Sequence, residues 1–287
     1  MSAILSSLLT SLCFASASLF AQKGLHLLNS PWGVWVTLVA NCFLLLAIHL
    51  LLHPDAPILI PGNLLFVLIG LFVPGITRLL TFRGIQRMGS SVTATIVNST
   101  PMFSTLLAIV FLHEHPSPLV FAGIGSIVGG VMTLSWGREK KIWRRTELFY
   151  PFAAAFLFAS KDVLARWGLG VTGQPALAAL IAVVTATLEV FLILRYVQAE
   201  RFVLPPLRVS LWFVISGIFT GGAFFFMFFA LHMEEVAIVS PIVSSHSVFV
   251  LLLSPLIARQ IERVTLRKGI GAVGVVAGVF LISLGRN

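Results

Sequence analysis

The sequence predicts an all-α integral membrane protein of ten transmembrane helices. Composition, the length of the apolar segments and an internal repeat carry that prediction. Mean hydropathy is +1.02; 58% of the 287 residues are hydrophobic and 10% are charged, too little polar material to cover a soluble surface. The apolar stretches run about 20 residues each, enough to cross a hydrocarbon core of roughly 30 Å. None shows the alternation of a barrel strand. The pattern FASxxxxAxxGL that starts at Phe14 returns from Phe158 to Leu169, and the spacing Glu114, Gly123, Gly130 returns as Glu262, Gly271, Gly278. Such a repeat divides the chain into five-helix units, 1–140 and 141–287, and a repeated membrane unit points to a path where the copies meet.

The first span, 2–21, contains Ala15-Ser16-Ala17, which resembles a signal-peptide cleavage site. No Lys or Arg precedes it and it supplies the first copy of the repeat, so it is read as retained. The second, 32–51, carries Cys42; with Cys13 it gives two packing cysteines and neither a disulfide framework nor a zinc site. The third, 62–87, contains Pro74-Gly75, which can break a helix, followed by Arg78; Gly221 holds the equivalent place in the second copy. The fourth, 90–112, holds Asn98 and Thr100. Its Asn98-Ser99-Thr100 glycosylation pattern lies mid-helix before Pro101 and is discarded.

The fifth span, 117–136, carries Gly123 and Gly130, and the longest polar connection, Gly137 to Glu147, follows it. The sixth, 148–167, holds Lys161, Asp162 and Arg166; the seventh, 175–195, holds Glu189. The eighth, 208–232, is rich in Phe, with Phe224-Phe225-Phe226 and Phe228-Phe229 facing lipid or packing between helices. The ninth, 235–258, contains Ser244, Ser245 and His246, and the tenth, 265–284, contains Gly271 and Gly278. Glu114 and Glu262 at helix junctions, and Glu234 and Glu235 at the start of the ninth helix, fit N-terminal caps.

The formal net charge is +9, carried mainly by alternate connections. Lys23 lies at the first, Arg83 and Arg87 at the third, and Arg138, Lys140, Lys141, Arg144 and Arg145 at the fifth. Arg195, Arg201 and Arg208 follow, then Arg259, Arg263, Arg267 and Lys268; the opposite face has little beyond Arg166 and Arg286. Basic loops stay cytoplasmic, which places both termini outside. No aromatic residues interleave these charges on a soluble face, so nucleic acid is not an expected partner. Short loops and the lack of a targeting extension suit a bacterial inner membrane.

Further paired segments refine the reading. The first copy gives Gly84-Ile85, Ser99-Thr100-Pro101 and Leu112-His113-Glu114; the second gives Ala230-Leu231, Ser245-His246-Ser247 and Gln260-Ile261-Glu262. With the four glycines, these resemble the EamA family of the drug/metabolite transporter superfamily over almost the whole chain. Ser247 replaces the proline, and two extra residues precede Glu262, so the end of the ninth helix is expected to be irregular. The resemblance implies inverted repeats around a central cavity lined by the first, third, fourth, sixth, eighth and ninth helices. It also implies transport without a nucleotide motor, in keeping with the absence of a GxxxxGK[ST] loop.

Arg78 is the foremost candidate site residue. It lies roughly 15 Å from the turn at Met88, too deep to snorkel easily, so it needs water or a partner, Glu189 being the structural alternative. Lys161 is about 9 Å from its helix end and within snorkelling reach. Asp162 and Arg166, four apart, are expected to pair. Arg78 and Lys161 together favour a carboxylate or phosphate. His246 can bind or titrate, while Asn98, Thr100, Ser244 and Ser245 form a polar band that also suits ordinary interhelical bonding. Glu189 is the candidate for a coupling proton, with a structural cluster beside Arg195 the favoured alternative.

These features favour a secondary transporter or exporter of a small anionic or zwitterionic metabolite, amino acids first. The expected partners are that substrate and membrane lipid, with protons one candidate coupling ion and simple gradient-driven flux the alternative; no cofactor and no metal is expected. Efflux of hydrophobic cations would want an accessible membrane carboxylate. A membrane enzyme would want clustered catalytic residues, and neither HExxH nor GxSxG occurs. A scaffold would have no need of Arg78.

Overall fold

A computed structural model describes residues 2–28, 31–52, 54, 57, 60–135, 144–198, 201–257 and 266–286, and the side chains of all of these but 90, 91, 266 and 268. Among them all regular structure is helical. The first half holds α1 (Ala3–Leu27), α2 (Pro31–Leu52), α3 (Asn63–Phe72), α4 (Gly75–Met88), α5 (Ser90–Val97), α6 (Thr100–Leu112) and α7 (Pro118–Ser135). The second holds α8 (Phe149–Thr172), α9 (Pro175–Leu192), α10 (Leu207–Met233), α11 (Val236–Ser244), α12 (His246–Ile257) and α13 (Leu266–Gly285). Counted across their breaks, α3–α4, α5–α6 and α11–α12 each form one crossing. Among the described residues nine segments are long and apolar enough to span a bilayer, and Gly269–Gly285 is a shorter apolar one. The protein is a multi-pass helical membrane protein.

Each break has a chemical cause. Pro101 has no N–H to give the Val97 carbonyl; the Thr100 hydroxyl donates to that oxygen instead (2.6 Å), and Ser99 donates to Ile96 in the same way (2.6 Å). The α11–α12 break is satisfied from outside. Ser11 of α1 donates toward the carbonyls of Ile242 (2.9 Å) and Val243 (3.1 Å), and Ser245 donates to Ser11 (3.2 Å). Pro74 separates α3 from α4, whereas α10 runs unbroken through Gly221. A glycine alone does not interrupt a buried helix. At Gly221 the missing side chain makes room for Asn41 and Leu44 of α2, each 2.9 Å from where a Cβ would stand.

The four glycines singled out by the repeat meet one another. A Cβ on Gly123 would lie 2.8 Å from the Gly278 carbonyl oxygen, and one on Gly130 would lie 2.6 Å from that of Gly271. Ser126 donates to the Gly274 carbonyl (2.7 Å) and Ser117 to that of Gly285 (2.8 Å). Rising numbers on α7 thus meet falling numbers on α13: the two helices pack antiparallel, backbone against backbone, as small residues permit.

Glu114 caps a helix, but across the two halves. Its carboxylate accepts from the N–H groups of Val236 (2.8 Å) and Ala237 (3.0 Å), the free donors at the start of α11. The cap expected from Glu234 and Glu235 is therefore corrected. Glu235 makes no side-chain cap, and Glu234 pairs with Arg286. Glu262 and the basic residues Arg138, Lys140, Lys141, Arg259 and Arg263 lie outside the described residues, as does the end of the ninth span.

Candidate functional site

A cavity of about 260 Å³ lies between α1, α2, α4 and α10. Phe14, Ala17, Ser18, Ala21 and Leu25 follow one face of α1, at the three- and four-residue spacing of a helix. Val34 and Thr37 come from α2, and Phe213, Ser216 and Thr220 from α10. Leu25 and Val34 stand near the ends of α1 and α2, on the side of the basic connections. Arg78 lies ten residues before Met88, roughly 15 Å along α4. The resemblance implied no role for the second helix, which lines this cavity, and it named the fourth, sixth and ninth, which do not.

Arg78 lines this space and its side chain is exposed. Among the described residues no group accepts a hydrogen bond from its guanidinium and no acid pairs with it. The four hydroxyls of the lining are already engaged. Ser18 donates to Ala15 (2.8 Å), Thr37 to Gly33 (3.1 Å), Ser216 to Ala17 (2.8 Å) and Thr220 to Ser216 (2.8 Å), in each case to a backbone carbonyl. Arg78 is thus a donor-only cation in a largely apolar chamber.

Lys161 is placed differently. Its ammonium lies 2.6 Å from Asp162 Oδ1 and 3.4 Å from Met227 Sδ, and the two charged residues are 7% and 6% exposed. Asp162 Oδ2 also accepts from Ser104 of α6 (3.1 Å) and Ser240 of α11 (2.8 Å). One carboxylate therefore joins α6, α8 and α11. The expected Asp162–Arg166 pair is not formed: Arg166 donates to the carbonyls of Leu231 (2.7 Å) and His232 (2.8 Å). Those oxygens lie in the last turn of α10, where no helical donor remains for them.

Glu189 sits against the start of α4, close enough that a Cβ on Gly75 would collide with both carboxylate oxygens. Its Oε2 is buried and has no hydrogen-bond partner among the described residues. The polar band is occupied with the helix breaks and helix packing. Asn98 donates to Ser135 of α7 (2.7 Å), Ser244 donates to Ser240 (3.1 Å), and His246 Nδ1 lies 3.3 Å from the Val243 carbonyl. Thr100 and Ser245 serve the breaks described above. Sequence reasoning missed Ser11, Ser104 and Ser240, which hold the break of the ninth crossing and the Asp162 cluster.

The lining combines one cation, neutral hydroxyls and apolar walls, and among its described residues there is no nucleophile–base pair. A solved crystal structure of a protein superimposes on 98% of this chain and 96% of its own with a TM-score of 0.80, at 17% identity, a likeness of fold. Phosphoenolpyruvate/phosphate translocator 3, chloroplastic, of Oryza sativa subsp. japonica is 34% identical over 90 residues. That match spans 31% of this chain and 22% of the relative's length. The model of the EamA-like transporter family matches residues 1–136 and 145–284, both copies of the repeat. The chain belongs to the EamA-like transporter family.

Proposed function

We propose that this protein is a secondary transporter or exporter of a small anionic or zwitterionic metabolite, working by alternating access. Arg78 carries the reading: an unpaired cation in a membrane interior is costly unless it meets water or an anionic partner, and here it faces a cavity. The name of the translocator relative, which concerns phosphoenolpyruvate and phosphate, supports an anion. The antiparallel α7–α13 contact supports ten helices in two inverted repeats. The basic connections are assigned to the cytoplasmic face of a bacterial inner membrane, with both termini outside.

In this scheme the ligand meets Arg78 from the cytoplasmic face. The Asp162 cluster and the Glu114 cap hold the opposite face shut. Lys161, His246, Asn98, Thr100, Ser244 and Ser245 reach the ligand path only once those bonds part. Glu189, with an unpartnered oxygen at the α3–α4 break, is the candidate coupling acid. Counterflow of labelled amino acids and organic anions in proteoliposomes tests the scheme. Substrate-specific exchange is expected, with loss in Arg78→Gln. Proton-driven uptake that becomes pH-independent in Glu189→Gln is expected of the coupling role. Cation flux indifferent to Arg78→Gln would instead favour multidrug efflux.

A further inference from the structure

We infer that the Arg78 cavity takes a monocarboxylate with an apolar body, bearing neither an ammonium group nor a second negative charge. The inference rests on the transport reading above and narrows its substrate class, setting free amino acids and phosphorylated acids below simple carboxylates.

Charge balance is the first ground. Among the described residues that line the cavity, Arg78 carries the one charge. Lys161, the other cation expected to hold the anion, is committed to Asp162. A ligand with one negative charge neutralises Arg78. A second negative charge has no cation to meet in this lining, and an ammonium has no acid. In a chamber of low dielectric an uncompensated charge is expensive.

Hydrogen-bond supply is the second ground. The hydroxyls of Ser18, Thr37, Ser216 and Thr220 donate their hydrogen bonds to backbone carbonyls. They retain acceptor lone pairs, but those are neutral and cannot stand in for a carboxylate beside an ammonium. The remaining donors are those of Arg78, whose planar fork satisfies one carboxylate through two parallel N–H···O bonds. A phosphate ester with further oxygens would leave acceptors unmet.

Shape is the third. Phe14, Phe213, Leu25 and Val34 give apolar walls suited to a hydrocarbon body. The volume, about 260 Å³, is below the range of roughly 300–1,000 Å³ usual for drug-sized ligands and suits a small metabolite.

The test compares isocaproate, leucine and phosphoenolpyruvate by calorimetric titration of the full chain in detergent. Leucine is isocaproate with an added α-amine, so the pair isolates the ammonium; phosphoenolpyruvate adds negative charge. Isocaproate is expected to bind at least about tenfold tighter than either, and to weaken by at least about tenfold in Arg78→Gln. If leucine or phosphoenolpyruvate binds as tightly as isocaproate and Arg78→Gln still abolishes it, the inference falls and anion transport through Arg78 stands. If no carboxylate or phosphate binds, or binding ignores Arg78→Gln, both fall. A thermal melt without ligand establishes that the variant is folded. If it is not, Arg78→Lys, which keeps the charge and loses the fork, takes its place: weakened isocaproate binding is expected, and unchanged affinity counts against the inference.

Discussion

Arg78 and Lys161 are both intramembrane cations, one in each copy of the repeat, and the fold uses them in opposite ways. Arg78 follows a helix break, faces a cavity and has no partner among the described residues. Lys161 lies within an unbroken helix beside its own counter-ion, and that counter-ion is bonded to two further helices. The first is left without a counter-ion among the described residues. The second is consumed in holding the halves together. Both lie in spanning helices, and the supply of neighbouring acceptors is what distinguishes them.

That contrast can be broken by measuring stability. The largest effect is expected at Asp162→Ala, which strands a buried ammonium and should lower stability by about 3–5 kcal/mol. A double variant, Lys161→Met with Asp162→Leu, should recover most of the loss, because the uncompensated charge is gone. Thermal melts in detergent read both. A double variant as weak as the single one would show that the hydrogen bonds to Ser104 and Ser240, not the ion pair, supply the stability.

Ser104→Ala and Ser240→Ala come next, at about 1.5–3 kcal/mol each, since each removes a hydrogen bond to a charged acceptor. The two hydroxyls share one carboxylate oxygen, so their losses should not add. Full additivity in a double-mutant cycle would show that the cluster does not act as a unit.

Glu114→Ala should cost about 0.5–2 kcal/mol through loss of the cap on α11. Burial pushes the Glu114 carboxyl above its ordinary value, against the opposing pull of the Ala237 and Val236 amides. The folded state thus holds this proton more tightly than the unfolded state does. Its contribution to stability is full below the ordinary carboxyl value and is lost as pH rises through the raised one. Glu114→Gln should flatten that part of the stability–pH profile, and an unchanged slope would assign it to another group. The smallest change is expected at Arg78→Gln, within about 0.5 kcal/mol without ligand. A loss as large as that of Asp162→Ala would remove the contrast between the two cations.

Much of this architecture was legible in the sequence, because lipid leaves few choices. Segments of about 20 apolar residues had to be helices, and the repeated spacing of Gly123, Gly130, Gly271 and Gly278 was visible, but not that these glycines meet one another. Arg78 stood out in the sequence by its depth alone. The partners were not. The four-residue spacing of Asp162 and Arg166 suggested a pair, but Arg166 is drawn to the unpaired carbonyls at the end of α10, and the adjacent Lys161 takes the acid. Glu114 was readable as a cap, yet the helix it caps lies in the other half of the chain. Ser11 carried no signal, since its role depends on where the ninth crossing breaks. Local spacing shows what a side chain can do; which neighbour it finds is a property of the packed bundle.

The glycine contacts between α7 and α13 also restrict how the two halves can move. Their backbones touch where side chains would normally keep helices apart, and Val275 and Ile282 pack against the same facing strip. A slide of one turn along this seam would drive those branched side chains into opposing carbonyls. A swivel about it would leave the contacts nearly intact. In the proposed rocking of the two halves this seam would serve as an axle, and a few degrees of turn about it would widen or close the space around Arg78 without unfastening the join.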